Sequence, residues 1–250
     1  GNAVTVTGKA NGSATITISV AAGTNYTAPA SKTCAVTVSF LKDNFADNDW
    51  SAIIAACQSG SVPDSWVVGN SKTMTINGTD YQIDIIGKNH DTYAAGGTAP
   101  LTFQLHDCYA DTKAMNSSNA NSGGWKNSAM RTTHLPAILA LMPTEVRSGI
   151  REVSKKASVG DASSTIETVS DKLFLLSEVE IFGSTSYSAA GEGTQYDYYK
   201  AGNSKVKKQN VSAAGWWERS PNASNPTRFC LVYSLSLIHI SEPTRLRCIS

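Results

Sequence analysis

His106-Asp107-Cys108 carries the three side-chain types of a base, an orienting acid and a nucleophile. Neighbours on a strand point to opposite faces, so these three cannot form one hydrogen-bonded triad unaided. A core or loop role is expected for them. His90-Asp91 follows a predicted strand and offers two further ligand types. With His106 set aside, His134 is the one histidine left before the C-terminal tail, too few for a zinc site. His90 is expected to order its loop through hydrogen bonds. Glu178, Glu180, Glu192 and Asp197 are too scattered in sequence to nominate a glycosidase pair. Cys34, Cys57, Cys108 and Cys230 show no metal-ligand spacing and read as free buried thiols. No P-loop, dinucleotide fingerprint or HExxH run occurs. The expectation is a protein that is not an enzyme, with no catalytic residue, metal or cofactor.

Gly215-Trp-Trp-Glu-Arg-Ser-Pro221 is the other chemically dense stretch. On a strand, Trp216 and Trp217 face opposite sides. One is expected in the core and the other beneath Arg219 as a cation–π partner. Trp216, Trp217, Glu218 and Arg219 are read as scaffold, anchoring the polar, turn-like segment that follows.

The elements that must position these groups are short and mixed. Val4–Val6, Thr15–Val20 and Cys34–Val38 alternate at period two and form a small antiparallel block over residues 1–39. Asp49 can cap a helix bearing Trp50, Ile53, Ile54 and Cys57 on one face, ended by Gly60. Trp66–Val68 and Lys72–Ile76 are predicted strands. The second pairs with Tyr81–Ile86 through an Asn77-Gly78 type I′ turn. Leu101–Leu105, Ile150–Val153 and Leu173–Leu176 are predicted strands. Trp125–Leu141 is a predicted helix restarted at Pro136, and Gln195–Lys200 a short one. The class is α+β.

Only 16% of residues are charged and the net charge is +1, a balance that suits no nucleic-acid partner. Lys205, Lys207 and Lys208 form the one basic cluster and read as a solvated loop. No apolar run is long enough to predict membrane insertion.

Four ordered motifs carry a family resemblance: Asp84-Ile-Ile-Gly-Lys-Asn-His-Asp91, Gly123-Gly-Trp-Lys-Asn-Ser-Ala-Met-Arg131, Asp171-Lys-Leu-Phe-Leu-Leu-Ser177 and the Trp-Trp motif. Trp125 and Arg131 belong to the second and are taken as structural. Residues 40–234 resemble a family of uncharacterised domains of Gram-positive bacteria and their phages. That resemblance implies a C-type-lectin-like fold. It also implies kinship with the variable proteins of diversity-generating retroelements, whose C-terminal cassette is mutated at adenines. Val6-Thr-Gly-Lys-Ala-Asn-Gly-Ser-Ala-Thr-Ile-Thr-Ile resembles half of a bacterial immunoglobulin-like repeat, so 1–39 is expected to be an incomplete stalk module.

The resemblance implies a binding tip on a phage tail fibre or a bacterial surface, so a virion-surface or extracellular location. Its partner would be a cell-surface glycan or protein receptor, and tail tips suggest a homotrimer by analogy. Asn222, Ser224, Asn225, Pro226, Arg228, Leu231 and Tyr233 are the expected ligand-facing residues. Residues 222–234 contain no Lys, Glu, Gln, Met or Trp, the types that cassette codons randomised in this way cannot encode. Calcium-dependent lectin motifs (Glu-Pro-Asn, Gln-Pro-Asp) are missing from 40–234. The alternatives are a formylglycine-generating-type enzyme on the same fold, which needs a paired cysteine site, and a fixed-surface decoration protein.

Leu235-Ser-Leu-Ile-His-Ile-Ser-Glu-Pro-Thr-Arg245 resembles the translation of a transposase-type sequencing adapter. Residues 235–250 are therefore expected to be foreign, and both ends of the chain to be cut. Without Glu242, Arg245 and Arg247, acids and bases are equal in number.

Overall fold

A computed structural model describes residues 5–8, 12–38 and 40–233, together with the backbone of one strand at His239–Glu242. The chain divides into two compact units, Gly1–Lys42 and Asp43–Ser250.

The first unit is a hairpin of β1 (Gly12–Ile18) and β2 (Lys32–Val38), in antiparallel register from Gly12 opposite Val38 to Ile18 opposite Lys32. Alternating Thr, Ile and Val suit a pleated ribbon. Two strands bury little, however, and Val6, Ile18, Val20 and Tyr26 remain more than half exposed. Cys34 is exposed on this ribbon, which corrects its reading as a buried thiol.

The second unit is α+β and built from small antiparallel sheets. A short 3-10 turn, Phe45–Asp47, precedes helix α1 (Trp50–Ser59). Gly60 ends α1 in the left-handed region at φ 70°, as expected. β3 (Ser71–Ile76) and β4 (Thr79–Lys88) meet at Asn77 and Gly78, both with positive φ, the signature of the I′ turn. β5 (Leu101–Leu105) completes that sheet in the order β3-β4-β5. Trp66–Val68, predicted as a strand, is a loop held by turns.

The predicted Trp125–Leu141 helix is broken into α2 (Gly124–Asn127), a π-helical turn at Met130–His134, and α3 (Leu135–Leu141) with Pro136 in its first turn. α4 (Thr144–Gly149) follows, then the hairpin β6 (Val153–Ser158) and β7 (Ile166–Asp171). Strand pairing therefore starts where the predicted Ile150–Val153 strand ends, and Leu173–Leu176, predicted as a strand, lies in a loop outside the sheets. α5 (Glu178–Phe182) starts on a complete Ser177/Glu180 capping box. α6 (Asp197–Lys200), β8 (Lys207–Gln209) and β9 (Ser212–Ala214) lead to β10 (Trp216–Pro221), β11 (Phe229–Val232) and β12 (His239–Glu242).

The β10–β11 ribbon is buried on both faces. Trp217 and its cross-strand partner Leu231 enter one apolar cluster with Trp125, Leu135 and Ile138. Trp216 and its partner Val232 enter a second with Ile86, Ile181 and Tyr196. Both tryptophans are thus core residues, on opposite faces as strand geometry requires. β12 lies within the adapter-like segment and pairs with β11 in antiparallel register through main-chain groups, which any residue type but proline can supply in full.

Candidate functional site

β10 and β11 fall out of register between Trp217 and Pro221. In that irregular stretch the Arg219 backbone N–H donates to Leu176 O at 2.9 Å rather than to β11. Its side chain turns into the protein and is fully buried. All five guanidinium N–H groups are used. Nε donates to Lys156 O, Nη1 to Leu175 O and Glu180 Oε2, and Nη2 to Glu180 Oε1 and Glu192 O. Burial pulls the guanidinium pKa down, but the Glu180 carboxylate more than reverses this, so Arg219 stays charged. No cation–π contact joins it to the tryptophans; the cation over Trp216 is Lys207, at 5.5 Å.

The network continues from Glu180. Its Oε1 lies 2.6 Å from Lys155 Nζ, and Nζ lies 2.8 Å from Asp91 Oδ1. Thr102 and Tyr196 hydroxyls donate to Asp91 Oδ2 at 2.6 and 2.7 Å. Burial raises the carboxyl pKa values of Asp91 and Glu180, but the cations beside them prevail and hold both below the usual range. Glu192, with a fully buried side chain, accepts from Ser158 N and Ser220 Oγ. Burial dominates there and raises its pKa. Glu178 accepts from the backbone N–H groups of residues 186, 187 and 188. Three of the acids scattered in sequence, Glu178, Glu180 and Glu192, therefore converge in space, yet they are spent on backbone amides, Arg219 and Ser220, while Asp197 stands exposed at the start of α6.

The other motifs join the same scaffold. Trp125 Nε1 donates to Asp171 Oδ2 at 2.8 Å and Arg131 Nε to Asp171 Oδ1 at 2.6 Å, tying the second motif to the third. His90 stacks on Tyr196 at 3.9 Å instead of ordering its loop by a hydrogen bond. Gly87 makes this possible, because a Cβ there would stand 2.9 Å from both rings' residues. His106 is paired with Asp84 of the neighbouring strand at 2.7 Å, while Asp107 accepts from Lys208 N and Cys108 is buried. The tripeptide thus diverges, as adjacent residues must.

Lys207 corrects the solvated-loop reading. It is buried, donates to Leu105 O and His106 O, and its pKa is lowered to about 8 by burial. Among the described residues, no group of three or more His, Cys, Asp or Glu is placed to hold a metal. No described helix is long and apolar enough to cross a membrane.

The segment after β10 makes a compact loop. Asn222 Oδ1 accepts from Ser224 N, and Asn225 Oδ1 from Thr227 N and Oγ1. These are side-chain-closed turns. Asn222 N–H donates to Arg228 O across the loop base, and Ala223 N–H to Tyr187 O. Beneath it sits Asn121, fully buried. Its backbone N–H donates to Pro226 O at 2.7 Å, and its Nδ2 to Asn225 O and Arg228 O. Its Oδ1 accepts from Asp161 N at 2.8 Å, so one side chain fastens three loops. Gly160 must lack a Cβ here: φ is +80° and a Cβ would stand 1.9 Å from Asn121 O.

Of the seven expected ligand-facing residues, Ser224 and Pro226 are exposed, and Asn225, Arg228 and Tyr233 are half-buried. Leu231 and Asn222 are enclosed at 0% and 4% exposure, which assigns them to the core and to the loop base. Thr227, exposed at the loop tip, and Tyr187, exposed on the segment that bonds Ala223, join the face. Tyr187 lies far away in sequence, and nothing local marked it. Asn121 sat in a stretch read only as a polar loop.

The unit also holds an apolar cavity of about 240 Å³ beside α1, β5 and α4, walled by Trp50, Ile54, Phe103, Met142, Ile150 and Phe174. Asp91 reaches it, but that carboxylate is already held by Lys155.

A family model described as a domain of unknown function (DUF6273) matches residues 101–241. Comparison with curated proteins and with solved structures finds no match.

Proposed function

The chain belongs to the DUF6273 family of domains of unknown function, and from that premise we propose that its second unit is a binding module. The recognition face is the 222–228 loop with Tyr187 beside it, and the ligand is a glycan or protein receptor on a cell surface. The module is displayed at a phage tail tip or a bacterial surface, with the first unit as part of a stalk. Its fold is C-type-lectin-like, and the loop is part of a variable cassette.

One observation carries the reading. The loop is closed by its own asparagine side chains and stapled from below by Asn121, while Ser224, Pro226 and Thr227 stand outward. A loop ordered before contact loses less conformational entropy on binding. Tyr187 adds a rigid amphipathic ring and Arg228 a directional cationic donor, both apt for recognition. The charge network behind it holds the base in place without using the outward residues.

The test is binding of the fluorescently labelled chain to Gram-positive cells and to a panel of surface glycans. The proposal expects saturable binding that is lost when Ser224, Pro226 and Thr227 are replaced together. Binding unchanged by that triple substitution would sink it. The cassette reading is tested on the DNA: a near-copy downstream, differing where the copy has adenine and accompanied by a reverse transcriptase gene, supports it. Their absence from the intact locus removes it.

A further inference from the structure

We propose that Lys155 and Asp91 condense to an intramolecular amide, with Glu180 as the catalytic proton carrier and the loss of one water. The proposal does not depend on what the recognition loop binds.

The backbone sets the pair face to face. Tyr93 and Val153 form an antiparallel bridge, and Ser154 N donates to Thr92 O at 2.9 Å. Two residues further along the same register, Asp91 stands opposite Lys155, so their side chains share a face. Both are buried, at 5% and 3% exposure. Nζ lies 2.8 Å from Asp91 Oδ1 and 2.6 Å from Glu180 Oε1. Aromatic rings flank the ammonium group, with the Phe174 centroid at 4.4 Å and that of Tyr196 at 5.2 Å from Nζ. An amine and a carboxyl are thus held in contact away from bulk water, where the hydrolysis that favours free groups has little access.

Each required role has a residue. Asp91 rests as the carboxylate and Lys155 as the ammonium. Glu180, kept ionised by Arg219, takes a proton from Nζ and passes it to Asp91 Oδ1, leaving a neutral amine beside a neutral acid. The Nζ lone pair then forms a bond to Asp91 Cγ. Negative charge gathers on Oδ2, where the Thr102 and Tyr196 hydroxyls already donate at 2.6 and 2.7 Å. A second proton travels from nitrogen through Glu180 to Oδ1, the Cγ–Oδ1 bond breaks, and water leaves. Glu180 ends as it began, and no oxidant or activated donor is needed. The product keeps one N–H for Glu180 and the carbonyl oxygen for Thr102 and Tyr196. Condensation removes one cation and one anion together, so the Arg219–Glu180 pair stays balanced.

The bond would close a covalent ring between positions 64 residues apart and lock the loop after β4 onto β6. That suits a surface protein exposed to pulling and proteolysis.

The experiment is intact mass spectrometry of the full chain under denaturing conditions, followed by proteolytic mapping. The expected result is a mass one water below the sequence value in nearly all molecules, with the peptides containing Asp91 and Lys155 joined. Lys155→Met should restore the sequence mass, and Glu180→Gln should slow or abolish the loss. A wild-type mass equal to the sequence overturns the proposal, as does a water loss that maps elsewhere. Wild-type speed in Glu180→Gln overturns the role of Glu180. The wild-type measurement stands even where a variant does not fold.

Discussion

Arg219 and Glu180 meet side by side in the interior, Nη1 to Oε2 at 2.5 Å and Nη2 to Oε1 at 2.9 Å, both side chains out of reach of water. Charges so enclosed are tolerable because every donor of the guanidinium is matched. Arg219→Met should therefore cost about 3–5 kcal/mol, since it leaves Glu180 with one cation fewer. The double variant Arg219→Met/Glu180→Leu should recover part of that loss. Urea unfolding of the four proteins in a double-mutant cycle checks this, and additive losses would contradict a coupled pair.

Stability should fall on acidification, with a sign that follows from the groups involved. Glu180, and Asp91 while its carboxyl is free, have folded pKa values below their unfolded ones. Their contribution is complete above the unfolded values of about 4 and is lost as pH drops through the folded ones. Glu192 is raised, so its contribution is complete below about 4 and is lost as pH rises through its folded value. Glu192→Gln removes this opposing term. It should be at least as stable as wild type at pH 7 and should lose stability more steeply toward pH 3. Thermal unfolding between those pH values decides; a shallower fall in the variant would refute the assignment.

Asn121→Ala should loosen the recognition face from below. It takes the acceptor from the Asp161 amide and one of two donors from each of the Asn225 and Arg228 carbonyls, which keep Arg228 N–H and Asn222 N–H, at a cost of about 1–3 kcal/mol in all. Hydrogen exchange should speed up in 159–163 and 222–228 while β3–β5 keep their protection. Equal acceleration everywhere would mean that Asn121 acts on the whole unit.

The seven candidate ligand residues should separate into two groups. Leu231→Ala should cost about 2–5 kcal/mol, because it opens a hole beneath Trp217. Ser224 or Pro226 replaced by Ala should change stability by no more than about 0.5 kcal/mol while altering ligand binding. Melting curves and binding isotherms on the same samples test the division; a stability loss at Ser224 as large as that at Leu231 would erase it.

Local signals carried far along this chain. Asp49 stands at the N-cap position of α1 without making the expected side-chain cap bond, whereas Gly60 ends the helix and Asn77-Gly78 turns the β3–β4 hairpin as expected, because helix stops and two-residue turns depend on a few consecutive residues. The same holds for the opposite facing of Trp216 and Trp217. Ser177 and Glu180 also formed a readable capping box, although α5 went unpredicted. The Leu173–Leu176 run misled, since its apolar residues serve burial rather than strand pairing, and the neighbouring β7, Ile-Glu-Thr-Val-Ser-Asp, carries a weaker apolar pattern.

Sequence order alone pointed to the α+β class and to the opposite facing of Trp216 and Trp217, since period and turns act over a few residues. It could not show that Asp91, Lys155, Glu180 and Arg219 form one buried network, or that Asn121 holds a loop more than a hundred residues away. A charged residue in a polar chain looks solvated until its partner is known, as Lys207 demonstrates. Partnering of that kind depends on which strands cross, and that emerges when the apolar clusters on either side of β10 and β11 close around them.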